Sequence, residues 1–453
     1  MRRFALLLLA ASSVITGLCP AATRPHYGGT LRLMMRAAPT SLDPADPSLE
    51  ASWSGRNLSR AIFETLATLD DHGRLQPALA TAWQAEPGNQ RWVFSLRNQV
   101  HFHDGSPLTA EAVASSLRAA NPEWKVFSSG IQVVIEPNQP DAKLPLTLTL
   151  PRNAIAKRTG KLVGTGPFAI EEWIPGSKLT LIARDDNWRG RPFVDRVVIE
   201  MGKNLREQQI ALDLGKADIT EVAPEQARHN NGGGIQVISS PPLELIALVF
   251  ARDPHDSQEA RLREALALSL DREAMNRVLL QGSGEVAACI LPNWITGYGF
   301  LFSPDKDLNQ ARQDRDQTKQ AKAWTLTYPA EDPLARLLAE RIALNATDAD
   351  ISLRLSPSAD SAIRLMRIPI SSLDGGIALA TISAALQVPL PNVNVNSVEE
   401  LYNAEKALLN SQRIIPLLHV RISYAIAPAV NHWTEGHDGS WRLGDVWLGA
   451  EKP

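Results

Sequence analysis

Two histidines and an aspartate stand close together at His101, His103 and Asp104. Alternate residues of a strand point to the same face, so both imidazoles could reach one metal ion. A zinc-dependent hydrolase would need further ligands at defined spacing, and the remaining histidines form no second close-spaced pair on an expected helix or strand. The pattern therefore favours histidines that flank a hairpin and a turn. An exported metal-dependent hydrolase is kept as an alternative.

These residues lie in an expected strand, turn and helix unit. Trp92–Leu96 alternates apolar and polar residues, and residues 100–102 continue that alternation as a second short strand. Asp104 and Gly105 form a turn dipeptide, because glycine tolerates positive φ. Thr109 is a good N-cap for the helix that follows. The segment is thus predicted to be compact and regular.

The same stretch, from Arg91 to Val113, resembles the hallmark region of the family 5 extracellular solute-binding proteins, which are the peptide- and nickel-binding receptors of ABC importers. Its run of Phe102-His103-Asp104-Gly105 is central to that likeness. Further segments resemble the family pattern in the same order, at residues 28–34, 38–44, 60–83, 164–168, 187–199, 208–219, 259–273, 291–298, 398–402, 414–419 and 441–448. These segments are spread along the chain, and the resemblance extends over roughly three quarters of it.

The resemblance implies an α/β protein with a two-lobed periplasmic-binding-protein-like (type II) fold and an inserted extra domain. Lobe I is expected to combine residues 28–45, 163–245 and 420–453. The inserted domain is expected at residues 46–162, and lobe II at residues 246–419. The chain would then cross between the lobes more than once.

The segment Gly164-Thr165-Gly166-Pro167-Phe168 also matches the family pattern. Two glycines and a proline within five residues predict a bend that other residues could not adopt. A phosphate-binding loop is excluded, because no Lys-Ser or Lys-Thr pair follows and no helix is expected to begin there.

Several other elements follow from periodicity. Strands are predicted at residues 132–135 and 146–150, and one long helix at residues 259–278. A strand, a helix and a strand between residues 324 and 355 predict a parallel crossover unit.

Composition restricts the class of protein. A chain of 453 residues is too long for a single core and suggests two or three domains. The formal net charge of −3 argues against nucleic acid or an anionic membrane surface as the main partner. A share of 44% hydrophobic residues is ordinary for a soluble protein.

The amino terminus has the layout of a secretory signal peptide at residues 1–22. A basic start is followed by an apolar stretch at residues 4–15, which is shorter than the roughly 20 residues that span a bilayer. Cleavage is expected near Ala21. Lipid attachment at Cys19 is disfavoured, because Leu18 is larger than the residue that normally precedes a lipidated cysteine. The mature protein is therefore expected to be periplasmic.

One departure from the family pattern bears on the ligand. Residues 357–395 lack the aromatic and acidic segment that these receptors normally carry. The resemblance implies that the acid of that segment meets the amino terminus of a bound peptide. Its absence leaves open whether this chain binds peptides or another small solute.

The resemblance implies a solute-binding receptor, expected to be a monomer, that delivers its ligand, most simply a peptide, to the membrane components of an ABC transporter. No residue set with convincing spacing predicts catalysis, a cofactor or a bound metal. Residues in loops near the expected hinge and cleft are the predicted ligand contacts, namely Thr40, Ser41, Trp53, Trp294, Tyr298, His432 and Trp433. An envelope scaffold that binds other proteins through its lobes is a further alternative.

Overall fold

The computed structural model describes residues 24–50, 52–70, 72–227, 234–318, 323–357, 361–390, 395 and 397–449. The predicted signal peptide lies outside the described residues. The strands are β1 Thr30–Met34, β2 Ala67–Leu69, β3 Leu75–Pro77, β4 Ala80–Ala85, β5 Trp92–Leu96, β6 Lys125–Ser129, β7 Gln132–Glu136, β8 Lys157–Thr159, β9 Lys161–Val163, β10 Phe168–Ile174, β11 Lys178–Ala183, β12 Arg196–Glu200, β13 Ile219–Glu221, β14 Gln236–Phe250, β15 Glu285–Val286, β16 Trp324–Thr327, β17 Leu353–Ser356, β18 Ile363–Pro369, β19 Ile414–Ile426, β20 Val430–Asn431 and β21 Trp447–Leu448.

The α-helices are α1 Pro47–Glu50, α2 Trp53–Ile62, α3 Ala110–Ala120, α4 Leu144–Thr147, α5 Leu205–Asp213, α6 Ser257–Ser269, α7 Arg272–Ala274, α8 Asn293–Thr296, α9 Leu308–Asp316, α10 Pro333–Asp348, α11 Gly375–Leu386 and α12 Val398–Asn410. Among the described residues, no helix combines the length and the apolar composition that a bilayer span requires.

The two long strands β14 and β19 run through one large mixed sheet and join its two halves. The strand order is β10-β11-β12-β1-β13-β19-β14-β18-β16-β17, with β15 paired to β19. The pairing of β14 with β19 loses its register between Ser239 and Glu244, around Pro242. Proline cannot donate to a ladder, and register shifts bend a strand. This stretch is the natural hinge between the two halves of the sheet.

Three hydrophobic cores pack against this sheet. Alternate residues of β14 point to opposite faces, so Ile246 and Leu248 join a core with α6 and α10, whereas Leu245 and Ala247 join a core with α11 and α12. The other half of the sheet packs α2 and the C-terminal segment into a third core around Tyr424. Each half of the sheet therefore has a core of its own.

A smaller sheet of order β4-β5-β7-β6, covered by α3, has a separate core. Its fully buried members lie between Leu66 and Ile155. We propose that this unit is the inserted domain and that the two halves of the large sheet are the two lobes. The exact boundaries predicted from sequence remain predictions.

Three predicted elements differ from the structure. Residues 146–150 are not a strand, because α4 occupies Leu144–Thr147 with Pro145 in its first turn, where a fixed φ suits a helix. The long helix predicted at residues 259–278 is broken at Leu270, whose backbone is extended. The second strand of the histidine segment is reduced to a single bridge between His101 and Pro107. The parallel pairing of β16 with β17 is confirmed.

The glycines of the segment 164–168 serve a different purpose from the one predicted. Neither Gly164 nor Gly166 has a positive φ. A Cβ atom would instead lie 2.1 Å from the Ile62 carbonyl oxygen at Gly164 and 2.6 Å from it at Gly166. These positions need glycine because the end of α2 approaches their backbone, which fixes the position of α2 beside the inserted domain.

Candidate ligand-binding cleft

The carboxyl ends of four strands converge on the hinge. β13 is antiparallel to β19 and ends at Glu221, opposite Tyr424, while β18 is antiparallel to β14 and ends at Pro369, opposite Glu244. β1 runs parallel to β13, and β16 runs parallel to β18. Ligands of open α/β sheets bind outside the carboxyl ends of the strands. The loops that follow these strands therefore form the candidate site.

A cavity of about 620 Å³ reaches the loop after β18, and we call it the central cavity. Its walls come from the end of α2 and the segment after it, from Thr149, Pro151 and Ala154, from Tyr27 and residues 187–193, from residues 436–445, and from Ser371 and Ser372. A smaller neighbouring space of about 470 Å³ shares Leu69 and His437 with it. The central cavity has the volume of a typical small-ligand site and is walled by both lobes and the inserted domain.

One wall is the C-terminal loop, which we define as residues 435–441. Its ends form a bridge between Glu435 and Trp441. The Asn57 side chain of α2 donates to the Gly439 carbonyl at 2.9 Å and accepts from the Trp441 amide at 3.0 Å. An ion pair between Arg60 and Asp438, at 3.0 Å, is a second contact between α2 and this loop. Helix α2 thus holds this loop at the cavity.

A chain of charged residues connects the two lobes near the hinge. Arg36 follows β1 and contacts Glu221 at 3.3 Å and Asp332, at the start of α10, at 3.6 Å. Arg367 contacts Asp332 at 3.3 Å and Glu244 at 3.4 Å. Burial lowers the pKa of Arg36, but the nearby carboxylates outweigh burial and raise it overall. The contact between Arg36 and Asp332 holds the lobes together in this conformation.

A second pair joins the segments proposed as the inserted domain and lobe II, at the edge of the smaller neighbouring space. The Lys143 ammonium lies 2.7 Å from the Asp374 carboxylate. The same carboxylate caps α11 by accepting from the Ile377 amide at 3.0 Å. Asp374 lies in the region where the sequence lacks the expected acidic segment. The acid at the start of α11 is therefore already paired with Lys143 and with the first turn of that helix.

An aromatic and acidic cluster lies beneath the C-terminal loop. The rings of Tyr424, Trp433 and Trp441 contact one another with centroids 5.7 to 5.9 Å apart. The Glu435 carboxyl oxygens are shielded from solvent and accept no hydrogen bond of ordinary geometry. Burial raises the pKa of Glu435 to about 8, against a smaller opposing effect of the Trp433 indole. Glu435 is thus mostly protonated at neutral pH.

The predicted ligand contacts are dispersed. Trp294 lines the smaller space and donates to the Pro242 carbonyl at 3.1 Å, so it touches the hinge. Tyr298 is 5% exposed and donates to Glu405 at 2.6 Å. Trp53 and Trp433 are also buried, at 4% and 5% exposure.

The other three predicted contacts lie in segments next to strands. Thr40 is exposed and lies near Gly176. The Ser41 hydroxyl accepts a hydrogen bond from the Asp43 amide. His432 is exposed and has a positive φ of 60°. Of the seven predicted residues, only Trp294 lines one of the two spaces in the part of the chain that the structure describes. The ligand-binding role of the seven residues remains a prediction.

Sequence reasoning missed the residues that do line the central cavity. Arg60 lies in a segment that resembles the family and carries no mark of a ligand contact, and Ser371 lies where the family likeness breaks. Only the segment with Gly436, Asp438 and Gly439 has a sequence pattern that could have pointed to the cavity. Two glycines around an acid predict a tight, exposed loop.

The histidine segment has a different role from metal binding. His103 Nε2 lies 3.1 Å from the Gly166 carbonyl, and burial lowers the pKa of His103 to about 4. Asp104 pairs with Lys157 at 2.7 Å. No group of three His, Cys, Asp or Glu residues that could hold a metal occurs within the described ranges. The geometry gives the hydrolase alternative no support.

The sequence matches the model of a known protein family. Residues 74–389 match the bacterial extracellular solute-binding proteins, family 5 middle region, and the chain belongs to this family. It is 24% identical over 330 residues to the probable D,D-dipeptide-binding periplasmic protein DdpA of Escherichia coli (strain K12), covering 66% of this chain and 64% of DdpA. It is 23% identical over 297 residues to the oligopeptide-binding protein AppA of Bacillus subtilis (strain 168), covering 59% of this chain and 54% of AppA. The chain thus spans less than two thirds of these relatives.

Solved structures show the same fold. The structure of AgaA in complex with agropinic acid, from A. tumefacien R10, matches with a TM-score of 0.79 and 19% identity, covering 94% of this chain and 99% of AgaA. NikA from Staphylococcus aureus, in complex with Ni(L-His)2, matches with a TM-score of 0.78 and 16% identity, covering 92% and 99% of the two chains. The two-lobed α/β fold predicted from the sequence is confirmed.

Proposed function

We propose that the protein is a periplasmic solute-binding receptor of an ABC importer and that its ligands are peptides. The observation that carries the proposal is the central cavity of about 620 Å³, which is walled by both lobes and the inserted domain. The peptide-binding names of DdpA and AppA agree with this ligand class. The receptor carries out no catalysis and acts as an exported monomer.

Closure of the lobes would be the working step. A ligand that contacts both lobes binds the closed form better and shifts the open and closed populations by that difference in affinity. The pairs of Arg36 with Asp332 and of Lys143 with Asp374 would form on closure, because each joins two parts of the chain across the cleft. The membrane components of the transporter would recognise the closed form.

A second candidate is a receptor for another small solute. Lys143 already neutralises Asp374, so this carboxylate is not free to bind the amino group of a peptide. The solute would enter the same cavity and close the same lobes.

A thermal unfolding screen tests the function. Residues 23–453 are screened against di- to pentapeptides, opines, sugars, nickel and zinc. A ligand at a hundredfold excess over its dissociation constant stabilises the native state by about 2.7 kcal/mol. We expect stabilisation by peptides and its loss in Thr68→Trp, because Thr68 lines the cavity and an indole would fill part of it.

The matched control is Thr81→Trp, which adds the same side chain at an exposed strand position outside the cavity. This variant should respond to peptides like the unmodified protein. Stabilisation by an opine or a sugar alone would establish the second candidate. A response to zinc alone, or equal responses of the two tryptophan variants, would contradict a receptor that uses this cavity.

A further inference from the structure

Three arginines gather behind the wall of the central cavity, and we call Arg56, Arg60 and Arg152 the arginine cluster. Arg56 is 4% exposed, and its Nε donates to the Glu50 carbonyl at 2.9 Å. Burial lowers the pKa of Arg56 to about 10, and the charges of Arg60 and Arg152 act in the same direction. The three guanidinium groups are therefore close enough to repel one another.

The cluster contains more cations than nearby anions. Glu50 and Asp438 are the carboxylates that act on Arg56. Asp438 pairs with Arg60 at 3.0 Å, and Glu50 accepts from the Arg152 backbone amide at 3.3 Å. Three guanidinium groups thus face two carboxylates, which leaves one positive charge uncompensated within this group of five.

Two donors of the cluster have no hydrogen-bond partner. The Nη1 atom of Arg60 and the Nε atom of Arg152 are shielded from solvent and unpaired. A buried donor without an acceptor costs about 1–3 kcal/mol, and more when it is charged. Such a cost would be recovered if an anion entered from the cavity, which Arg60 lines.

The facing wall belongs to lobe II and also offers a donor. Ser371 is 5% exposed, and its hydroxyl oxygen has no partner. Three carboxylates that line the cavity are already engaged, Glu64 by Arg189, Asp70 by Arg74 and Asp438 by Arg60. Arg60 and Ser371 therefore place an unpaired donor just beneath two walls of the cavity, where a small side-chain movement would bring it to a ligand.

We propose that the arginine cluster is an anion subsite that binds a carboxylate of the ligand, with Arg60 as the contacting residue and Ser371 as a donor from the other lobe. The inference rests on the proposed peptide function and specifies it further. A peptide would be held by its carboxylate, and a free amino terminus would not be required. Charge-assisted hydrogen bonds of this kind contribute about twice as much as neutral ones.

The test uses one tripeptide library in three forms, namely free, N-acetylated and C-amidated, with binding measured by calorimetry and thermal shift. We expect N-acetylation to change the apparent affinity less than threefold and C-amidation to weaken it at least tenfold. Arg60→Met should reduce the effect of amidation to less than threefold. Arg152→Gln should weaken the free-acid library several-fold, and it breaks no ion pair among the described residues, which guards against a folding defect.

Arg91→Met is the matched control, because Arg91 lies in the inserted domain and does not line the cavity. It should keep the full discrimination against the amidated library. Loss of binding on acetylation with no effect of amidation would overturn the anion subsite and leave the peptide function intact. Absence of binding by all three libraries would instead refute the peptide function, and the subsite with it.

Discussion

Replacement of Glu405 by alanine is expected to lower the free energy of unfolding by about 3–5 kcal/mol, because three buried donors would lose their acceptor at a cost of about 1–3 kcal/mol each. Glu405 is fully buried in α12. Its carboxylate accepts from the Ile290 and Leu291 amides at 2.5 and 2.8 Å and from the Tyr298 hydroxyl at 2.6 Å. Truncation would leave all three donors buried and unpaired, which removes the contacts between α12 and the segment around α8.

Denaturant unfolding of the purified variant measures this loss. Glu405→Gln keeps an acceptor for the amides and should lose less than half as much. Tyr298→Phe removes one donor and should cost about 1 kcal/mol, without changing ligand affinity if Tyr298 is structural. A fall in ligand affinity with unchanged stability in Tyr298→Phe would instead support the ligand role predicted from the sequence.

The contribution of Glu435 to the free energy of unfolding is expected to fall by about 3 kcal/mol as the pH rises from 5 to 8, since each unit of pKa shift corresponds to 1.36 kcal/mol. Burial raises the pKa of Glu435 from 4.5 to about 8. The folded state therefore holds this proton more tightly than the unfolded state. The stabilisation is fully present below pH 4.5 and is lost progressively as the pH approaches 8.

The comparison with Glu435→Gln isolates this contribution. The amide is isosteric and does not ionise, so the difference in unfolding free energy between the two proteins should change with pH by about 3 kcal/mol, whereas other groups cancel. Burial lowers the pKa of His103 and of His419 to about 4, so their contribution to stability rises between pH 4 and 6.5, opposite in sign to that of Glu435. This contribution is the same in both proteins and cancels in the difference. A difference that is flat from pH 5 to 8 would show that Glu435 is solvated.

Local periodicity predicted much of the fold. The alternation of Trp92–Leu96 and the cap at Thr109 correspond to β5 and α3, because each depends on neighbours in sequence. The break at Leu270 and the helix at residues 144–147 depend on tertiary packing and turn chemistry, which the apolar pattern does not encode. Gly166 shows the same limit: its need for glycine comes from the Ile62 carbonyl, about a hundred residues earlier in the chain.

The candidate site was harder to predict. Trp53 and Trp433 are predicted ligand contacts because their segments are expected near the hinge and cleft, yet both side chains are buried. Arg60 could not be singled out, because its meaning depends on Asp438 at the opposite end of the chain and on Arg152 in the inserted domain. Such charge clusters form only when distant segments meet.

The most direct measurement of the central claim is the distance between the lobes with and without ligand. Leu214 and Val278 are exposed at 62% and 66% and lie in the segments proposed as lobe I and lobe II. Spin labels at Leu214→Cys and Val278→Cys, in a Cys289→Ala background, report that distance. We predict a broad distribution of distances between the labels without ligand, and a single narrow distribution in the presence of a saturating peptide library. An unchanged distribution, with peptide binding shown independently, would contradict a receptor that works by lobe closure.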